Sequence, residues 1–318
     1  MSAIPQIHRR LLRNLLVAAA AGTLALACGA GPDVELSPDL SAVLTASEFL
    51  VGENRLPFTL VNNDGATIDG ADVRVRFLAL AGEESEFRFE VPAMFRRVEI
   101  STPHRHADGE THAHTDARGF YTVDGARFDR PGFWMAEMLV RPATGDDMRV
   151  SAAFQVVTDS SAPSIGDRVP VSRNLTARDV TRLEEITTAP APVPEMYALT
   201  VEQALERGRP FVVAFSTPAF CVSRVCGPVT EVLADVRGRF STQVDFLHIE
   251  PFDLAIARAE GRLVALPITE EWGLETEPWV FVVGTDGRVA ARFEGLLAAE
   301  ELARALADVL EPVQAGPA

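Results

Sequence analysis

Lysine is missing from this 318-residue chain: all 29 basic residues are arginines, set against 45 acids for a formal charge of −16. Such a balance argues against a nucleic-acid partner, because neutralising phosphates needs a cationic surface and no basic patch supplies one. The lack of lysine itself carries no functional weight. Also missing are a P-loop, a G-x-G-x-x-G after a strand, an H-E-x-x-H and a G-x-S-x-G, and with them the phosphate cradles, zinc helices and serine elbows those motifs build. Long apolar runs are scarce. The one near the N-terminus, from Leu15 to Leu26, is too short to span a bilayer as a mature helix. Cysteine is limited to three residues, Cys28, Cys221 and Cys226, so any thiol chemistry must be assembled from these.

What is present begins with a targeting segment. Arg9, Arg10 and Arg13 precede the apolar run, and small residues lead to Cys28 in "LALACGAG". That stretch resembles a bacterial lipobox, in which the cysteine becomes the lipidated first residue, although Ala25 stands where that family usually has leucine. Residues 1–28 are therefore expected to be a lipoprotein signal peptide and lipobox, with Cys28 as the lipidation site; an ordinary cleaved secretory signal is the alternative. Both export the protein. Removing residues 1–27 takes away three arginines and no acid, which carries the charge from −16 to −19. So acidic a protein should not lie flat on anionic lipid and would meet the membrane only through its anchor. With Cys28 lipidated, Cys221 and Cys226 remain as a pair, and an oxidising compartment is where such a pair closes into a disulfide.

A length of 318 residues with 47 % hydrophobic residues suits two domains, each with its own core. Residues 29–42, polar and with Pro32 and Pro38, read as a tether. Over residues 43–158, short alternating runs such as "ADVRVRFLAL", "GFWMAEMLV" and "MRVSAAFQVV" are separated by Asn-Asn-Asp-Gly, Asp-Gly and Pro-Gly breaks. That spacing predicts antiparallel strands in an immunoglobulin-like β-sandwich, in architecture only, since the Cys…Trp…Cys spacing of true immunoglobulin domains is lacking. Residues 159–196 hold "SSAPSIGDRVPVSR" and "TTAPAPVPE" and read as a proline-rich linker packed on one domain or the other. Beyond it, helix and strand signals alternate. Thr200-x-x-Gln203 is a capping box, "PFVVAFS" and "VDFLHIE" are buried strands, and "GPVTEVLADVRGRF" and "AAEELARALADVL" are helices. "PWVFVVG", the turn "TDGR" and "VAARFEG" make a hairpin.

The order strand, cysteine loop, helix, strand, proline, hairpin, helix over residues 197–312 resembles the thioredoxin-like family, with 313–318 as a tail. "FVVAFSTPAFC" looks like that family's approach to its first cysteine, Pro278 before "WVFVV" looks like its cis-proline, and "DGRVAARFEG" looks like its closing hairpin. The resemblance implies an α/β thioredoxin-like domain in which Cys221, Cys226 and Pro278 carry the chemistry. Two departures stand out. The cysteines are spaced C-x4-C instead of C-x-x-C, and Glu277 replaces the usual Thr or Val before the proline. Five positions of unbroken helix rise about 7.5 Å, beyond the roughly 7 Å Cα limit for a disulfide, so a bridge needs non-helical backbone between the two. Gly227-Pro228 offers that break, because proline is favoured at the first helical position; it predicts a helix starting near 228 with both cysteines in the preceding loop. Sco-type copper chaperones, also thioredoxin-like, pair two close cysteines with a distant histidine, and this chain resembles them imperfectly; His248 in "FLHIE" is the candidate third ligand, although a histidine on a predicted central strand is more often a satisfied core residue.

Four of the six histidines fall in "PHRHADGETHAHTD": His104, His106, His112 and His114. Asp108-Gly109 marks a hairpin turn. A two-residue loop would pair 106 with 111 and 104 with 113, separating the two histidine pairs. An odd loop centred on Gly109 would pair 106 with 112 and 104 with 114, gathering all four on one face, where they could hold copper or zinc. A polar hairpin without metal is the other reading.

Taken together, the residues predict an exported, membrane-anchored lipoprotein of a bacterial cell envelope. Its expected work is thiol-disulfide exchange with envelope protein thiols and disulfides, with no cofactor required. Two alternatives remain open: a copper or other metal protein using the histidine cluster, the cysteines or both, and a redox-silent interaction lipoprotein with a structural disulfide.

Overall fold

The computed structural model describes residues 34–105, 111–221 and 225–311, with the backbone alone for 99–105 and 111–118. The segment Val34–Ala318 behaves as one compact unit. Its N-terminal part holds eight strands: β1 (Leu40–Leu44), β2 (Phe49–Leu50), β3 (Gly52–Asn62), β4 (Asp72–Ala81), β5 (Glu84–Arg105), β6 (Thr111–Phe128), β7 (Gly132–Arg141) and β8 (Met148–Val157). They alternate as their sequences require: Val73, Val75, Phe77 and Ala79 point inward from β4, while Arg74 on the other face is exposed. Hydrogen bonding joins all eight into one sheet, in the order β1-β3-β6-β5-β4-β7-β8-β2.

The long strand β5 makes that sheet curl. Its first half pairs with β4 and its second half with β6, so one strand serves both walls. Between the walls lies a core rich in aromatic rings, with Phe49, Phe58, Phe77, Phe128 and Trp134 fully buried. The segment before β1 meets β8, where the Ser37 N–H donates to the Arg149 carbonyl at 2.8 Å. The arrangement is sandwich-like in having two walls over one core.

A second sheet follows, built from β9 (Phe211–Phe215), β10 (Asp245–Ile249), β11 (Trp279–Val283) and β12 (Val289–Glu294) in the order β10-β9-β11-β12. β10 runs parallel to β9, whereas β11 is antiparallel to β9 and to β12. Around it are α1 (Val201–Glu206), α2 (Cys226–Phe240), α3 (Leu254–Glu260), α4 (Pro267–Glu271) and α5 (Ala299–Leu310). α1 starts where the capping box lies: Thr200 Oγ1 accepts from the Gln203 N–H, and the Gln203 side chain accepts from the Thr200 N–H. One face of this sheet is covered by α2 and α5 through Val229, Leu233, Leu302 and Leu306; the other packs against Trp272 and Ile268.

These elements overturn the expected fold class of an immunoglobulin-like sandwich followed by an α/β thioredoxin-like domain. Among the described residues strand predominates over helix, which makes the protein mainly β, with one large curled sheet and one small sheet. Three of the five helices are short, with 6, 7 and 5 residues. The thioredoxin-like expectation rested on local motifs, and local motifs do not fix the balance of layers.

Residues 159–196 lie across the small sheet. The Gly166 N–H donates to the Val289 carbonyl at 2.8 Å and the Val169 N–H to that of Gly287 at 3.1 Å, while Ala162 and Val169 enter the core beside Trp272. Partly buried ion pairs tie the two sheets together: Arg292 to Glu48 at 2.7 Å and Arg55 to Glu301 at 2.7 Å. Glu294 accepts from Ser47 Oγ at 2.6 Å and from the Glu48 N–H at 2.9 Å.

Candidate functional site

β9 and β11 are neighbours, with Phe215 opposite Trp279, so the loop leaving β9 and the segment entering β11 emerge at the same end of the small sheet. The first carries Cys221 and leads to α2; the second carries Glu277, whose peptide bond to Pro278 is cis. Topology alone therefore brings three separated residues together. The Cys221 and Cys226 sulfurs and a Glu277 carboxylate oxygen all lie within 4.8 Å of one another, a set that can hold a metal ion.

Helix α2 begins at Cys226, two residues before the position predicted from Gly227-Pro228. Cys226 is thus the first helical residue and not part of the preceding loop, whereas Cys221 lies in the loop, held by its N–H to the Thr217 carbonyl at 3.0 Å. The sulfurs are not joined in a disulfide. Cys226 is fully buried and Cys221 half-buried. Burial pushes the Cys226 thiol far up, and its hydrogen bond to Cys221, in which the buried S–H is the donor, holds the proton further; the Thr217 N–H opposes both. Burial, then the negative charge of Cys221, raises the Glu277 carboxyl to about 7. The site therefore pairs one accessible sulfur with one protected thiol and sets a carboxyl that titrates near neutrality beside them.

Beneath the loop runs a buried polar chain that sequence reasoning did not find. The Cys226 carbonyl accepts from Thr230 Oγ1 at 2.9 Å, and Thr230 Oγ1 meets Ser216 Oγ at 2.8 Å. Ser216 Oγ lies 2.8 Å from His248 Nε2, and His248 Nδ1 lies 2.7 Å from Tyr197 Oη. Both ring nitrogens of His248 are thereby engaged by protein groups, and the ring is not among the three residues gathered at the sulfurs. Burial lowers its pKa to about 4, so the ring is neutral at pH 7. Glu250 is a second support: its Oε1 accepts from the Thr188 N–H at 2.5 Å and Oγ1 at 2.6 Å, and Thr188 Oγ1 accepts from the Ala219 N–H in the cysteine loop at 3.0 Å. Acids at strand ends, Glu250 after β10 and Glu277 before β11, were the available signal.

The histidine hairpin adopts neither predicted register. His104 pairs with His112, and Thr102 with His114, so the connection is the five residues 106–110. His104, His112 and His114 occupy ladder positions of one parity. His106 lies outside the described residues, as does Cys28. Among the described residues no helix is long and apolar enough to cross a membrane.

No family model matches the chain. No curated protein matches it either. Among solved structures, CopC from Methylosinus trichosporium OB3b is similar at a TM-score of 0.21 and 11 % identity, over 37 % of this chain and 96 % of its own. Murine CRIg gives a TM-score of 0.21 at 12 % identity, over 37 % of this chain and 98 % of its own. A conjugative transposon lipoprotein from Bacteroides eggerthii gives 0.17 at 10 % identity, over 37 % and 98 %. Likenesses this slight carry no argument about fold or function.

Proposed function

We propose that the protein carries out thiol-disulfide exchange through Cys221 and Cys226, exported and anchored in a bacterial cell envelope through Cys28. The supporting observation is the pairing of a half-buried sulfur with a buried thiol that donates to it, beside a carboxyl poised near pH 7. In the forward direction, the Cys221 thiolate attacks a substrate disulfide, forms a mixed disulfide and releases one substrate thiolate. Glu277 takes the proton of Cys226, and the resulting thiolate attacks the Cys221 sulfur. That step forms the Cys221–Cys226 bond and releases the second substrate thiolate, which recovers the proton from Glu277. Cys226 at the first turn of α2 has the helix N-terminus to favour its transient anion.

The test is trapping. Cys226→Ala should accumulate a mixed disulfide at Cys221 with envelope proteins, and Cys221→Ala should not. A structural staple predicts instead a potential below about −300 mV and no trapped partner, an outcome that would sink the exchange reading.

A second reading is favoured by the third donor, Glu277: the reduced pair as a site for copper or zinc. It requires the same two thiols and excludes simultaneous exchange, because a metal-bound sulfur is not available for attack.

A further inference from the structure

We propose that Glu277 fits the reduced Cys221–Cys226 pair to a divalent thiophilic ion of the Zn²⁺ type over Cu⁺. The inference rests on the metal reading of this site and goes beyond it by assigning the ion class to one carboxylate.

Geometry sets the first condition. A tetrahedral Zn²⁺ with bonds of about 2.3 Å to sulfur sets two sulfurs about 3.8 Å apart. The two sulfurs and the Glu277 oxygen, all within 4.8 Å of one another, approach that spacing with side-chain adjustment alone. The three donors come from the β9–α2 loop, the start of α2 and the entry to β11, so the small sheet fixes them from two sides. Cys221 is half-buried, which leaves one side of the cluster open to a water as fourth ligand.

Charge then separates the candidate ions. Two thiolates and a carboxylate carry three negative charges; Zn²⁺ leaves one uncompensated and Cu⁺ leaves two. Among the described residues, burial and the charge of Cys221 are what act on Glu277, and neither offsets that difference. Cu⁺ is content with two thiolates and gains little from a carboxylate, whereas Zn²⁺ accepts sulfur and oxygen together. Occupancy would also follow the redox state. A disulfide oxidant removes two electrons from the two thiolates, departs as two thiolates of its own, and leaves the Cys221–Cys226 bond, so the ion loses both sulfur donors and is released.

The experiment uses the reduced full chain, titrated anaerobically with Cd²⁺ as a spectroscopic probe, then with Zn²⁺ in competition, and separately with Cu⁺. Thiolate-to-metal absorption reports only ions on sulfur, so ions held by the hairpin histidines do not register. Wild type should bind one equivalent of Cd²⁺, displaced by Zn²⁺. Glu277→Gln should weaken Zn²⁺ about tenfold or more while leaving Cu⁺ nearly unchanged, with a cooperative urea transition like that of wild type showing that the variant is folded. Equal Zn²⁺ affinity in the variant, or equal loss of both ions, overturns the inference. Absence of any thiolate band in wild type overturns the metal reading itself, and a Cu⁺ band without a Zn²⁺-sensitive one keeps that reading while removing the role given to Glu277.

Discussion

Replacing Glu277 with Gln should change how stability depends on pH, in a direction the structure fixes. The carboxyl has an ordinary pKa of 4.5 and is raised in the folded protein to about 7, chiefly by burial and next by the charge of Cys221. Between those two values the native state binds more protons than the unfolded state, so stability falls as pH rises through the window and the loss is complete above about 7. A shift of this size corresponds to at most about 3.4 kcal/mol, and partial exposure of the group reduces it to roughly 1–2 kcal/mol. Gln mimics the neutral acid and cannot ionise. Relative to wild type, the variant should therefore gain roughly 1–2 kcal/mol between about pH 4 and about pH 8. The assay is urea unfolding of both reduced proteins at several pH values, comparing the two curves so that every other titrating group cancels. Parallel curves would refute the reasoning, and so would a wild type that gains on the variant as pH rises.

Three further outcomes are expected. Cys28→Ser should release a soluble form on detergent partitioning, and a variant that stays membrane-bound, from an unlipidated wild type, would end the lipoprotein reading. Phe128, fully buried with ring centroids 4.9 Å from Trp134, 5.3 Å from Phe154 and 5.4 Å from Phe77, should cost about 3–5 kcal/mol when changed to Ala, measured by denaturant unfolding; a loss under about 1 kcal/mol would mean that the curled sheet closes over the gap. His248, with its pKa lowered from 6.5 to about 4, binds fewer protons folded than unfolded, so its contribution is lost as pH falls from 6.5 towards 4. Its imidazole carbon-13 shift should not titrate above about pH 5 in the native protein, and a midpoint near 6.5 would contradict the buried network.

How far the sequence foretold the fold depended on whether the signal was local. The strand "FVVAF", the capping box at Thr200 and the hairpin of "PWVFVVG" and "VAARFEG" lie where period, caps and turn residues placed them. The thioredoxin-like layer arrangement inferred from those elements did not follow, because the balance of strand and helix is decided by long-range pairing. Strand β5 illustrates the reason. Its pattern reads as strand from either end, but that one strand changes partners from β4 to β6 near Ala93–Met94 is visible only once both partners are in place. The histidine register failed for a related cause: Asp108-Gly109 invited a two-residue turn or an odd one centred on 109, whereas the ladder pairs His104 with His112 and Arg105 with Thr111.

The candidate site was legible in its sulfurs and not in its acid. Cysteine is so rare in this chain that Cys221 and Cys226 announce themselves, while Glu277 is one of 45 acidic residues and reads as a departure from a family pattern. What gives that carboxylate its importance is its place: the entry to β11 stands beside the exit of β9, and the spacing of 56 residues between Cys221 and Glu277 says nothing of this. The same reasoning accounts for His248, which is the satisfied core histidine that its place on a central strand suggested. A histidine in "FLHIE" offers a metal ligand on paper, yet Ser216 and Tyr197 claim both nitrogens, and a ring so engaged braces the loop that carries the cysteines instead of competing for an ion. Chemistry at this end of the sheet therefore rests on two residues chosen by scarcity and a third chosen by topology. Because the third is the one that titrates near neutrality, pH and the identity of residue 277 should act on the site through the same proton.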